Sequence, residues 1–257
     1  MKAHVNTPLK SGLILFTLGF VGVISALPLI PQLMALQPEK PPIPLFLLQI
    51  LSTLQSSVIL GGLIALGLYC APKVALGAPI IRGYLENKNI SSLLGSIIRP
   101  AIVGGTLGAI LIMAFWKMME THLPQSFLAN AESFLPPWYT RLLYGGITEE
   151  LLIRWGLMSF FVWLTFKYTQ KNVGPVKAYN YILANLVTAL LFGLAHLPVA
   201  SLLSTEITPA LVFYIITGNA IFGVIAGWLF WRKGIECAIV AHMVCHLVVM
   251  FIQLMAS

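Results

Sequence analysis

The sequence predicts an all-α membrane protein, a polytopic bundle of about seven transmembrane helices (eight possible) around an intramembrane polar cavity. Of its 257 residues, 58% are hydrophobic and only 9% are charged, and the mean hydropathy is +0.91. A soluble domain carries about 25% charged residues, and disorder requires high charge with low hydrophobicity. The composition therefore excludes both classes.

Seven segments are long enough to cross a bilayer, whose core takes about 20 residues of helix. Six contain no charged residue, and the fourth contains Arg141, Glu149, Glu150 and Arg154. The segments are 11–38, 43–72, 100–116, 138–166, 178–205, 207–231 and 237–257. Of the two longer connections, we expect 73–99 to be amphipathic and to lie along the membrane interface, and we read 117–137 as a loop.

Lysine and arginine are distributed unevenly between the two sides of this arrangement. With the N-terminus inside, the inner segments hold eleven of the 15 basic residues, and the outer segments hold Lys40, Lys117 and Arg141. The positive-inside rule then predicts a cytoplasmic N-terminus. The net charge of +7 is accounted for by anionic lipid, so no nucleic-acid partner is expected.

Glu149, Glu150 and Arg154 of the fourth span lie at a depth where charges are energetically unfavourable. A charged side chain at the centre of a bilayer costs about 2.5–3.5 kcal/mol on insertion scales. Glu150 and Arg154 are four residues apart, so they share a helical face and can pair. Glu149 lies about 100° around an α-helix and has no local partner. These residues therefore predict a polar cavity inside the bundle.

Three of the five histidines also lie in spans. His196 is in the fifth span, and His242 and His246 share one face of the seventh. Carboxylates and imidazoles in a cavity that holds water can activate a nucleophile and stabilise an oxyanion, which predicts hydrolysis of a peptide bond or a lipid ester. A zinc ion bound by Glu149, His196, His242 and His246 is the other possibility, although no HExxH sequence occurs.

These residues resemble the motifs of the CPBP family, the CAAX proteases and bacteriocin-processing enzymes. Glu149 to Arg154 matches its EExxxR motif, and Phe192 to His196 matches FxxxH. The segment 219–231, which begins at Asn219, is similar to its third region, and His242 with His246 occupies the place of its fourth motif. The resemblance runs from about Leu142 to the C-terminus.

The resemblance implies an intramembrane endopeptidase, of the type II CAAX prenyl endopeptidase or lysostaphin resistance protein A type. Glu149 would activate water with assistance from His196, and His242 and His246 would polarise the scissile carbonyl or its oxyanion. Glu150 completes the catalytic set and, together with Arg154, would orient the site. Arg154, Phe192, which would line the pocket, and Asn219 are the supporting residues. Metal-independent catalysis without a cofactor is favoured, with zinc as the alternative.

The implied organisation is a single polytopic membrane domain over 1–257. Its N-terminal spans and interfacial loop occupy 1–137, and the catalytic core occupies 138–257. The implied partners are a membrane-associated protein or peptide substrate and the lipid bilayer, in a cell membrane that we expect to be the plasma membrane of a prokaryote. The other readings are a proton-coupled transporter, because membrane Glu, Arg and His also form proton relays, and a non-catalytic scaffold or immunity protein.

Overall fold

The computed structural model describes residues 6–36 and 42–256, which are mostly helical and contain no β-strand. Two consecutive stretches between α7 and α8, Arg141–Glu149 and Leu151–Met158, are π-helical. The α-helices are α1 Asn6–Ser25, α2 Leu29–Ala35, α3 Leu45–Cys70, α4 Pro79–Leu85, α5 Ser91–Met119, α6 Gln125–Ser133, α7 Trp138–Thr140, α8 Ser159–Gln170, α9 Ala178–Ala195, α10 Leu197–Leu202, α11 Pro209–Lys233 and α12 Ile235–Ala256.

Six helices of the described chain are long and apolar enough to cross a membrane, judged by length and composition. The fourth predicted span is a continuous helix from Trp138 to Gln170 that contains α7, both π-helical stretches and α8; we call it the glutamate helix. The six spans are Pro8–Ser25, Leu45–Val74, Ser91–His122, Ala178–Leu202, Pro209–Lys233 and Ile235–Met255. The protein is therefore an all-α, multi-pass membrane protein, which confirms the predicted fold class.

Successive spans run in opposite directions. The starts of α1 and α5 and the ends of α3 and α11 line a common cavity. The start of α9 lies at the same end, where the Tyr181 hydroxyl donates a hydrogen bond to the Val74 carbonyl (2.6 Å). Most of the basic residues of the connections also lie at this end, which we call the basic end. Lys2 and Lys40, which entered the charge count, lie outside the described residues.

Several segments differ in extent from the prediction. The first predicted span, 11–38, is divided because α1 ends at Ser25 and α2 begins after Pro28, a residue without the N–H that a continuing helix would use. The third span begins at Ser91 and contains Pro100 within the helix, so the last third of the predicted interfacial segment 73–99 belongs to this span. The predicted loop 117–137 contains α6.

The glutamate helix lies at the centre of the bundle because glycines let other helices approach it closely. On the α1 side, the Thr148 hydroxyl donates to the Gly19 carbonyl at 2.8 Å, and a Cβ on Gly22 would overlap Thr148. On the α3 side, the Trp155 indole donates to the Ile64 carbonyl at 3.2 Å. Close packing of small residues and interhelical hydrogen bonds are the forces that join helices in lipid.

The α-helical geometry assumed for the charged span is wrong over most of its length. Arg141–Glu149 and Leu151–Met158 are π-helical, with i→i+5 hydrogen bonds and wider turns. The estimate of about 100° between Glu149 and Glu150 therefore does not apply. Such helices are rare and concentrate at functional sites, and no residue type specifies them, so hydrophobic periodicity could not have revealed this one.

Small residues join α9 to α11. A Cβ on Gly193 would overlap the backbone of Ile216, and one on Gly223 would lie 3.0 Å from the Cβ of Ala189. One turn nearer the basic end, the Asn185 amide donates to the Val224 carbonyl at 2.9 Å. These contacts fix the distance between the two helices that flank the glutamate helix on this side.

We expect Gly193→Ala to lower the stability of the bundle by about 1–3 kcal/mol, because the new methyl group meets backbone atoms that cannot turn away. The measurement is the midpoint of thermal unfolding in detergent. Gly62→Ala is the matched control, since a Cβ at Gly62 has no neighbour within 4 Å. Equal midpoints for the two variants would contradict close packing at Gly193.

Candidate active site

A fully buried ion pair lies at the centre of the glutamate helix. Glu150 and Arg154 are both 0% exposed, and Arg154 Nη1 lies 3.2 Å from Glu150 Oε1. Arg154 Nη2 donates to the Gly223 carbonyl of α11 at 2.9 Å. A Cβ at residue 223 would lie 3.1 Å from that nitrogen, so the glycine leaves room for the guanidinium. The predicted pairing of Glu150 with Arg154 is confirmed.

Three polar atoms of this ion pair lack a hydrogen bond. Glu150 Oε2, Arg154 Nε and Arg154 Nη1 are buried and make no hydrogen bond within the described part of the chain. A buried polar group without a hydrogen bond costs about 1–3 kcal/mol, and more when it is charged. Groups of this kind commonly mark catalytic sites or ordered water, which agrees with the polar cavity that the sequence predicted.

The ring of Phe192 lies between the ion pair and two histidines. Its centroid is 4.9 Å from Arg154 Cζ, 4.7 Å from the His196 ring and 6.1 Å from the His242 ring. Phe192 is buried and projects from α9. Phe192 therefore contacts residues of three sequence motifs. This position agrees with the prediction that Phe192 lines the site.

Glu149 and His196 face each other across a short gap. Glu149 Oε1 lies 3.9 Å from His196 Nε2, and the two side chains are 18% and 34% exposed. His196 Nδ1 lies 2.8 Å from the Phe192 carbonyl oxygen. A carbonyl oxygen can only accept, so Nδ1 carries the proton, and in the neutral ring Nε2 is the acceptor that faces Glu149.

His242 is tied to the ion pair, and His246 is stacked on His242. His242 Nδ1 lies 2.8 Å from Glu150 Oε1. The two imidazole rings are nearly parallel, with centroids 4.8 Å apart. Glu149 and His196 are both close enough to His242 to interact with it electrostatically. The structure thus brings together the five residues predicted to be catalytic: Glu149, Glu150, His196, His242 and His246.

Asn219, predicted as a supporting residue, is placed differently. Its amide nitrogen donates to the Ile215 carbonyl of its own helix at 2.8 Å, so this donor is not used by the glutamates and histidines. Asn219 lies one turn from Gly223, whose carbonyl accepts the Arg154 hydrogen bond. Its part in the site therefore stays a prediction.

Sequence reasoning missed two residues that shape the histidine face. The Phe222 ring lies 4.4 Å from the His242 ring, and a Cβ on Gly145 would lie 2.6 Å from His246 Nε2. Phe222 is within the segment 219–231 that resembles the third family region. Nothing in a lone sequence distinguishes Gly145 from the other glycines of the chain.

The donor atoms do not form a metal site as they stand. Among the described residues, no group of three or more His, Cys, Asp or Glu side chains is placed to hold a metal ion. His242 Nδ1 and His196 Nδ1 are hydrogen-bonded to Glu150 and to the Phe192 carbonyl, which leaves each Nε2 open, as in histidines that bind a metal. Metal-independent catalysis and its zinc alternative both stay predictions.

Comparison with known families gives one match. Residues 131–248 match the family model of the Rce1-like type II CAAX prenyl endopeptidases. This segment belongs to the CPBP family of CAAX proteases. No curated protein and no solved structure matched the chain. This segment extends from α6 into α12, so it includes every motif residue named above.

We expect Glu150→Gln to destabilise the protein by about 3–5 kcal/mol, because it leaves the Arg154 guanidinium buried without a counter-charge. The double variant Glu150→Gln/Arg154→Met removes both charges and should recover most of the loss. Thermal unfolding in detergent measures both. A single variant as stable as the unchanged protein would show that this pair contributes nothing to folding.

Proposed function

We propose that the protein is an intramembrane endopeptidase in which Glu149 activates water for attack on a peptide bond. The observation that carries the proposal is the 3.9 Å gap between Glu149 Oε1 and His196 Nε2. This distance is too long for a hydrogen bond and suits one bridging water. Both facing atoms are acceptors when His196 is neutral, so a water there donates one hydrogen to each.

A water held by two acceptors directs its oxygen lone pairs away from them and towards the substrate. As the oxygen attacks the scissile carbonyl, Glu149 takes one proton from the water and the carbonyl becomes an oxyanion. Glu149 then gives this proton to the leaving nitrogen as the C–N bond breaks. His196, held by the Phe192 carbonyl, keeps the water in line without itself having to change charge.

The two stacked histidines are proposed to stabilise the oxyanion. Glu150 holds His242 through Nδ1, so His242 faces the site with Nε2. Nε2 would then lie beside the reacting carbonyl and would stabilise the oxyanion when this nitrogen carries the ring proton. His246 has no hydrogen-bond partner among the described residues and is free to present an N–H in its neutral form. Glu150 and Arg154 are then positioning residues for His242.

A small cavity between the end of α9, α10 and the start of α11 supports a membrane-associated substrate. It has a volume of about 320 Å³, which lies at the lower end of the range for ligand sites. Its lining is almost wholly apolar: Leu194, Leu197, Pro198, Ala200, Ser201, Ile207, Leu211 and Val212. A peptide segment with apolar side chains next to the scissile bond fits this lining.

We expect Glu149→Gln to reduce peptide cleavage by about 10²–10⁴-fold, the usual contribution of a positioned base, with little loss of stability, because Glu149 is not part of the Glu150–Arg154 pair. The assay is cleavage of candidate membrane peptides by the protein in liposomes. Glu132→Gln is the matched control, since Glu132 is exposed. Full cleavage by Glu149→Gln would remove this residue from the mechanism.

The same assay separates the glutamate and zinc versions of the enzyme. We expect cleavage to be unchanged after incubation with a strong chelator and not to increase when zinc is added, because the described donors do not converge on a metal. Loss of cleavage on chelation, with recovery on adding zinc, would establish the metal-dependent alternative.

A further inference from the structure

A second, larger cavity opens at the basic end, away from the glutamates and histidines. Its volume is about 770 Å³, within the range of roughly 300–1,000 Å³ that holds small organic ligands. We call it the basic-end cavity. It is lined by Pro8, Ser11, Leu68, Pro72, Ala75, Leu76, Gly77, Ala78, Pro79, Arg82, Glu86, Leu93, Ser96, Trp155, Phe230, Trp231, Arg232, Lys233 and Gly234.

The charged part of this lining is positive. It has three cations, Arg82, Arg232 and Lys233, against one anion, Glu86. Glu86 is held by Arg82 at 2.8 Å and by Lys88 at 2.6 Å, and these hydrogen bonds lower the pKa of Glu86 to about 2. Glu86 is therefore ionised at neutral pH and offsets Arg82, while Arg232 and Lys233 are in no ion pair among the described residues.

The rest of the lining is apolar and belongs to membrane spans. Leu68 is near the end of α3, Leu93 is near the start of α5, and Phe230 and Trp231 are in the last turns of α11. Two serines, Ser11 and Ser96, also line the cavity. The cavity thus combines a cationic part with an apolar part at the end of the bundle.

The wall that carries Arg232 and Lys233 is fixed in place. The Glu236 carboxylate accepts hydrogen bonds from the Ile80 and Ile81 amides, both at 2.9 Å, and the Ile235 amide donates to the Gly77 carbonyl at 3.0 Å. These bonds join α4 to the start of α12, directly after Lys233. Arg232 and Lys233 therefore lie next to a helix junction that hydrogen bonds hold in place.

We propose that the basic-end cavity binds a phosphate-bearing anion, with the headgroup of an anionic phospholipid as its source. The phosphate would lie against Arg232 and Lys233, and the first part of the acyl chains would lie along Leu68, Leu93 and Trp231. A cationic site beside apolar helix ends matches the two halves of such a lipid. The site is independent of the protease chemistry.

The test is the thermal unfolding midpoint of the purified full chain in neutral detergent with short-chain phosphatidylglycerol, phosphatidylcholine of the same acyl chains, or inorganic phosphate. We expect phosphatidylglycerol at saturation to raise the midpoint by roughly 5 °C, and phosphatidylcholine to have little effect. An effect of phosphatidylglycerol alone identifies a lipid site. An equal effect of inorganic phosphate identifies a free phosphate-bearing ligand and supports the shared chemistry.

Arg232→Ala/Lys233→Ala should lose most of this shift, with about a tenfold weaker apparent affinity. Lys167→Ala/Lys171→Ala is the matched control, because it removes two exposed cations outside the cavity lining. Lys233→Gln is a second variant in case the first folds poorly, since Lys233 is exposed, and it should lose part of the shift. Equal shifts with phosphatidylcholine, or an equal loss in the control variant, would overturn the proposal.

Discussion

The arrangement of this bundle depends on keeping one ion pair in a place where charges are expensive. Glu150 and Arg154 are wholly buried between helices, and the attraction between two buried charges offsets their loss of hydration only when hydrogen bonds hold the geometry. Here the Gly223 carbonyl and His242 supply those bonds. Helices α11 and α12 are thereby tied to the glutamate helix at one level.

A consequence of this arrangement is that the two adjacent glutamates have different partners. Glu150 is enclosed and serves the pair, whereas its neighbour Glu149 is partly exposed and meets His196. Adjacent residues of a helix point in different directions, so Glu150 meets His242 of α12 and Glu149 meets His196 at the end of α9. The buried carboxylate holds a histidine, and in the proposed mechanism the accessible carboxylate activates water.

Much of this could be predicted from the sequence, because membranes penalise polar groups so strongly. The spacing of Glu150 and Arg154 predicted their pairing, and His196, His242 and His246 were singled out by their position in apolar spans. Each of these predictions rests on a cost that one residue incurs in lipid.

What the sequence did not reveal depends on contacts between distant segments. The π-helical turns and the fit of Gly145 against His246 arise from packing that no local pattern encodes. Pro28 is a sequence signal for the break within 11–38. The apolar residues continue across it, so hydrophobicity alone predicts one uninterrupted span. The extent of α5 also differs from the prediction. The apolar run without charges begins after Arg99, whereas the helix continues across Arg99 and Pro100.

The position of His196 has one more consequence. The carbonyl of Phe192 belongs to the last turn of α9, where the backbone has no further N–H to accept from, and in a bilayer such a carbonyl is costly to leave alone. The imidazole fills this role of a helix cap, so the end of the helix itself dictates the tautomer. Adding a proton to the opposite nitrogen leaves the cap intact, and α9 can stay folded whatever the charge on the ring.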